Sequence, residues 1–141
     1  MAGPLQQMSR EQCLDRLRAH AVGRIAVTHQ ALPVIVPVNY TLLGSSVVFR
    51  TEPDGMLARA CQNSVVAFEV DDLAADGSKG WSVVVVGVAE PLTGSAAVRA
   101  IETGLVSAAG DGRDLFVAIS LGQVTGRAVV AATDGAMALS S

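Results

Sequence analysis

Short apolar, β-rich segments separated by turns recur along this chain, which is the pattern of strands. Three such segments lie close together between Gly23 and Thr51: GRIAVT, LPVIVPVNYTL and SSVVFRT, joined by short turns. They predict strands over Arg24–Thr28, Pro33–Leu42 and Val47–Thr51. His29–Ala31 is a tight connection, and Leu43–Ser46 is a hairpin turn containing Gly44. In the middle strand Val34, Val36 and Val38 share one face, while Ile35 and Asn39 share the other. Pro33 and Pro37 cannot donate to a ladder, so this strand has an irregular or open edge.

Further strands are expected at Val65–Val70, Trp81–Glu90, Leu115–Leu121 and Val124–Ala131, with a polar loop over Asp71–Lys79 and a flexible one over Gly110–Asp114. Helical spacing occurs in only three places. Ser9 and Gln12 form a capping-box pattern, after which Leu14, Leu17 and Ala21 recur at i, i+3 and i+7. This predicts a helix over Ser9–His20, with Arg10, Asp15, Arg16 and Arg18 on its polar side. A short helix is expected over Met56–Cys61, and a third over Ser95–Val106, where Gly104 weakens it.

The segment GWSVVVVGVAE is apolar on both faces. Val83 and Val85, with Trp81 on their side of the pleat, fill an interior, whereas Val84, Val86 and Val88 need a cover that so few short helices do not supply. A second copy of the chain is the natural cover, and the seam between two copies is a natural ligand cleft. Short antiparallel strands rich in valine favour closure into a barrel, which removes exposed edges. The fold class expected is therefore mainly β, a single domain over residues 1–141. Its core is an antiparallel barrel of six to seven strands with two to three short helices, about residues 9–131, and a flexible tail follows over 132–141.

Composition narrows the picture further. Half of the 141 residues are hydrophobic, but the aromatics are one Trp, one Tyr and three Phe, so the core is built from Val, Ala, Leu and Ile. A formal charge of −3 provides no general attraction to nucleic acid or to an anionic membrane. The mean hydropathy of +0.44 comes from short Val/Ala runs well under the roughly 20 residues of a membrane span. The opening MAGPLQQMSREQ has no apolar signal segment, and Cys13 and Cys61 lack metal or redox spacing. Two buried, reduced thiols in a cytoplasmic protein is the expectation.

Chemistry is sparse. His20 and His29 read as solvated polar residues, the acidic run Asp71, Asp72 and Asp76 as a solvated loop, and Arg24 as a surface residue. No GxSxG, HExxH or Walker-type glycine loop occurs, so hydrolytic catalysis is not indicated and a redox role needs a borrowed cofactor. What remains is Arg50 and Thr51, a cation and a hydroxyl at a strand terminus, suited to a phosphorylated ligand or equally to a solvated strand end. Tyr40 is the one side chain of a type suited to general acid work there.

The ordered pieces GRIAVT, PVIVPVNY, VVFRT followed by Leu57, VAFEVDD, GWSVVVVGVAE and VTGR resemble the pyridoxamine 5′-phosphate oxidase-like flavin-binding split-barrel family. The resemblance is in particular to its actinobacterial and nitroimidazole-resistance-like branches, over about residues 9–130 of this chain. The resemblance implies a split β-barrel homodimer with FMN at the interface. It implies that Pro37, Val38 and Asn39 pass their backbone along the isoalloxazine ring. Arg50 and Thr51 would hold the phosphate beside the helix that begins at Met56 and Leu57. Trp81 and Ser82 would lie near the ring or on the opposite lip, from the same chain or its partner. Trp81 is equally suited to a core or interface anchor. One departure stands out: relatives usually carry a Lys directly before the Leu that corresponds to Leu57, and here that residue is Met56, with Asp54 close by. Arg59, one turn further on, is a candidate to compensate. Three functions follow: an FMN-dependent oxidoreductase acting on a small molecule, a deazaflavin-dependent relative, or a split-barrel binding module that holds flavin weakly or not at all.

Overall fold

The computed structural model describes residues 5–105 and 115–129. In chain order the elements are β1 (Leu5–Gln7), α1 (Arg10–Ala19), β2 (Val22–His29), β3 (Leu32–Leu43), β4 (Ser46–Thr51), α2 (Met56–Ala60), β5 (Ser64–Leu73), β6 (Gly80–Pro91), α3 (Gly94–Glu102), β7 (Leu115–Ser120) and β8 (Gln123–Val129). Strands pair in the order β1-β8-β6-β5-β2-β3-β4-β7, and β7 returns to β6. Six strands thus close an antiparallel barrel, and β8 and β1 extend from it as a flap.

β6 is where the barrel splits. From Gly80 to Val86 it pairs with β8, and from Ala89 to Pro91 with β7. Gly87 lies between the two regimes, and a Cβ there would overlap the Ser120 carbonyl oxygen. The absence of a side chain lets β7 cross onto β6 at this point, and Ser120 Oγ accepts from the Val88 amide at 3.0 Å.

The pleat sorts the side chains as the alternation predicts. Ile25, Val47, Phe49, Phe68, Val70, Val83, Val85, Val117 and Ile119 fill the interior and are essentially inaccessible. α1 begins with both halves of the capping box: Ser9 Oγ accepts from the Gln12 amide at 3.2 Å, and Gln12 Oε1 from the Ser9 amide at 2.9 Å. It lays Cys13 and Leu17 against the core, and a Cβ on Gly126 of β8 would come within 2.6 Å of Cys13 Sγ. α3 lies outside the barrel, with Ala100 against Val48 and Phe116. Both cysteines are buried and unbridged, and burial pushes the Cys61 thiol up to about 11.

Several expectations change. β1 was not foreseen, because three residues reading Leu-Gln-Gln carry no periodicity; it exists by pairing with Arg127–Val129 of β8. Asp71–Leu73 is strand rather than loop: the ladder to Gly80–Ser82 carries β5 onward despite the aspartates. Arg16 is not on a solvated side, since its guanidinium carbon lies 4.8 Å from the centre of the Trp81 ring. His20 is half-buried rather than solvated, its ring edge-on to Trp81 at 4.9 Å and its Nδ1 2.9 Å from the Arg16 carbonyl oxygen. The Gly110–Asp114 loop, the end of the last strand at Val130–Ala131 and the 132–141 tail lie outside the described residues.

Candidate functional site

One cleft of about 390 Å³ opens beside the start of α2, lined by Val22 of β2, Val36–Asn39 of β3, Arg50 and Thr51 of β4, Glu52, Gly55, Met56 and Leu57. Three local features make it. Pro37 and Asn39 lie on the exposed side of β3, opposite Arg24 and Val22 of β2, so the main chain of this stretch runs along the cleft wall. β4 ends at Thr51, and the turn Glu52–Gly55, closed by the Gly55 amide on the Glu52 carbonyl oxygen at 3.1 Å, redirects the chain into α2. Gly55 stands at the N-cap of α2 and has no side chain with which to cap it, so the first-turn amides are left for another acceptor.

Arg50 is held in place from behind. Its Nη1 donates to the Leu105 carbonyl oxygen at 2.8 Å, and its guanidinium carbon lies 5.0 Å from the centre of the Phe116 ring, its cross-strand partner on β7. The cation is therefore positioned rather than free to swing. The cleft also contains one carboxylate, Glu52. Asp54, the acidic residue marked from the sequence, is exposed and outside the cleft lining; its carbonyl oxygen accepts from Arg59 Nη2 at 2.9 Å. Arg59 is thus tied to the outer side of the turn. Among the described residues the lining carries one guanidinium and one carboxylate, and Met56 adds no charge.

Seven residues marked from the sequence come together in this cleft: Pro37, Val38, Asn39, Arg50, Thr51, Met56 and Leu57. Trp81 and Ser82 do not line it. Trp81 is packed into the core between β6 and α1, and Ser82 is half-buried between Asp71 of β5 and Arg127 of β8. Val22, Val36, Glu52 and Gly55 were not marked. Val36 was legible as the next residue on the Val38 face, whereas Glu52 and Gly55 depend on a turn geometry that periodicity does not report. Tyr40 is withdrawn as a general acid. It is buried, its hydroxyl donates to the Leu17 carbonyl oxygen at 2.6 Å, and burial raises its pKa well above the usual phenol value.

The outer face of the barrel carries a second hollow of about 340 Å³, lined by Arg24, Ala26, Ile35, Ala67, Glu69 and Asp71. Arg24 Nη1 stands 3.4 Å from both Glu69 Oε1 and Asp71 Oδ2. Desolvation and the adjoining Asp71 carboxyl push Glu69 up to about 7.

The sequence and the order of strands are those of a known family. The family model described as pyridoxamine 5′-phosphate oxidase matches residues 9–128, and the chain belongs to that family. The chain is 33% identical over 130 residues to an uncharacterised protein of Mycobacterium tuberculosis, covering 89% of this chain and 86% of that protein. Among solved structures, it is similar to an FAD binding protein from Mycobacterium smegmatis at 30% identity and a TM-score of 0.69, over 89% of this chain and 98% of that one. A conserved protein of unknown function from Corynebacterium diphtheriae is 33% identical, with a TM-score of 0.75 over 90% of this chain and 99% of that one.

Proposed function

We propose that the cleft between β3, the end of β4 and α2 is a flavin site, and that the chain acts as a homodimeric flavin-dependent oxidoreductase on a small molecule. The observation that supports this best is the convergence on one cleft of a fixed guanidinium, the Thr51 hydroxyl and the uncapped first turn of α2, beside the main chain of Pro37–Asn39. An anionic phosphate complements the first three, and a flat heterocycle suits a strand wall whose outward side chains are Pro and Asn. Bound there, a flavin supplies hydride or electron transfer. The chain's own residues bind and orient: Arg50 and Thr51 fix the phosphate end, and Val22, Val36, Val38 and Leu57 exclude water. The M. smegmatis relative's binding of FAD agrees with this reading.

The second copy is called for by the volume and by the outer sheet. A cleft of about 390 Å³ is at the small end of ligand pockets, roughly 300–1,000 Å³, so a nucleotide cofactor extends beyond it. Ile35 and Val65 are each 69% exposed on the outside of β3 and β5, beside half-buried Val84 and Val86 of β6.

The charge of the lining favours a second reading of the cofactor. FMN ends in a monoester dianion, and Arg50 here is offset by Glu52 with Met56 adding nothing. In FAD the two phosphates are joined as a pyrophosphate and each bears a single charge, so the group beside Glu52 is opposed less than a monoester dianion, and FAD suits this balance better than FMN. Titrating the purified chain with FMN, FAD and riboflavin, read by flavin fluorescence and thermal midpoint, tests both points. A ligand that binds only the folded state must raise the midpoint. No shift with any flavin would leave a split barrel acting as a binding module for something else.

A further inference from the structure

We propose that the outer face of β2, β3, β5 and β6 closes on a second copy of the chain with uptake of protons by its carboxylate pair, so that assembly tightens as pH falls. This rests on the homodimer reading above and names how that contact is controlled.

The face is complementary to itself. Ala26 pairs with Ile35 on one side and with Ala67 on the other, so a projecting isoleucine stands directly beside a floor of two alanines. In a two-fold contact each protrusion meets the other copy's recess: Ile35 of one copy seats in the hollow over Ala26 and Ala67 of its twin. No helix among the described residues lies over this hollow, whose lining comes from β2, β3 and β5 alone.

The same hollow is bounded by the ion cluster, and there the charges do not balance. Two carboxylates, Glu69 and Asp71, share one guanidinium nitrogen, Arg24 Nη1. The neighbouring strands bring little else. On these rows the outward residues are Pro37 from β3 and Ser82 and Val84 from β6, none of them titratable, with Thr125 and Arg127 beyond on β8. Arg127 follows Ser82 in the Asp71 row, two strands away, at about 10 Å by strand spacing. It is exposed to solvent, which screens it. With both carboxylates ionised the triad carries one excess negative charge, and a two-fold contact brings two such triads together while stripping their water. A proton on Glu69 leaves Arg24 against Asp71 alone, a neutral pair that can be covered. The raised affinity of Glu69 for a proton in the single chain puts this step near neutrality, and burial in the contact raises it further.

Sedimentation of the full chain at about pH 6 and about pH 8, in matched salt, tests this. If each chain takes up half a proton on average over these two pH units, one per dimer, the dimer dissociation constant should be at least about tenfold lower at about pH 6 than at about pH 8. Glu69→Gln, which keeps the shape and removes the titration, should dimerise equally at both pH values. Asp71→Asn, which removes the like charge and leaves Arg24 to Glu69, should weaken the dependence. A wild-type dimer with the same constant at both pH values, or a Glu69→Gln variant retaining the full dependence, overturns the proton coupling and leaves the dimer standing. A monomer at both pH values, with or without FAD, overturns the dimer itself. Flavin binding to that monomer, read separately, shows whether the cleft survives alone.

Discussion

Replacing Met56 by lysine is the sharpest perturbation the cleft offers. Met56 is half-buried, lines the cleft and packs on the core, and among the described residues the lining carries one cation, Arg50, and one anion, Glu52. An ammonium introduced there gains a charge-assisted hydrogen bond to a bound phosphate, about 1.5–3 kcal/mol, or about ten- to a hundredfold in affinity. Glu52 stands in the same cleft and competes for the new charge, so the lower figure, about tenfold, is expected. The cost appears in the free protein. Part of an apolar side chain leaves the core, which lowers stability by about 1 kcal/mol, and ligand should restore the midpoint. Fluorescence titration of wild type and Met56→Lys should show FMN and FAD tightening while riboflavin, which lacks a phosphate, stays unchanged. Equal tightening of riboflavin would mean that the gain is not at the phosphate. No change for any of the three would refute the assignment of the phosphate to the start of α2.

Three further outcomes are expected. Gly87→Ala places a methyl on the Ser120 carbonyl oxygen where β7 meets β6 and should lower stability by about 3 kcal/mol or more in urea unfolding. Tyr40→Phe keeps the edge-on contact with Phe68 but removes the donor to the Leu17 carbonyl oxygen, so stability should fall by about 1–2 kcal/mol with flavin affinity unchanged. Glu69 has its pKa raised on folding, so the folded chain retains a proton that the unfolded chain gives up at lower pH. Stability should therefore decline as pH rises from the ordinary glutamate range to about 7 and then level off, a trend that thermal melts of Glu69→Gln should lack.

Much of the barrel was legible because its segments are rich in β-branched residues and bounded by turns, and a strand sends every second side chain to the same face. Val34, Val36 and Val38, or Val83 and Val85, share a face by the two-residue period of a strand, although Ile35 and Val84 between them are apolar too. The cleft was legible where it lies on a strand, at Pro37–Asn39 and Arg50–Thr51. Its acidic member was not: whether Glu52 or Asp54 faces inward is decided by the turn bond from Gly55 to the Glu52 carbonyl oxygen. β1 and the outer part of β5 were illegible for a different reason. Each is held by a neighbouring ladder rather than by its own side chains, and aspartates or glutamines tolerate a strand that others impose. Tyr40 shows the limit of reading chemistry from residue type. Its hydroxyl is committed to main chain from α1, a partner 23 positions away in sequence.

The stacking of Arg16 and His20 on Trp81 gives the chain a built-in optical probe. As the chain's sole indole, wedged where the first helix seats on the sheet, it reports through its emission whether that helix is docked. Denaturation followed at this wavelength therefore registers helix undocking, whereas a flavin signal registers the cleft. Divergence of the two curves would separate detachment of the helix from collapse of the barrel.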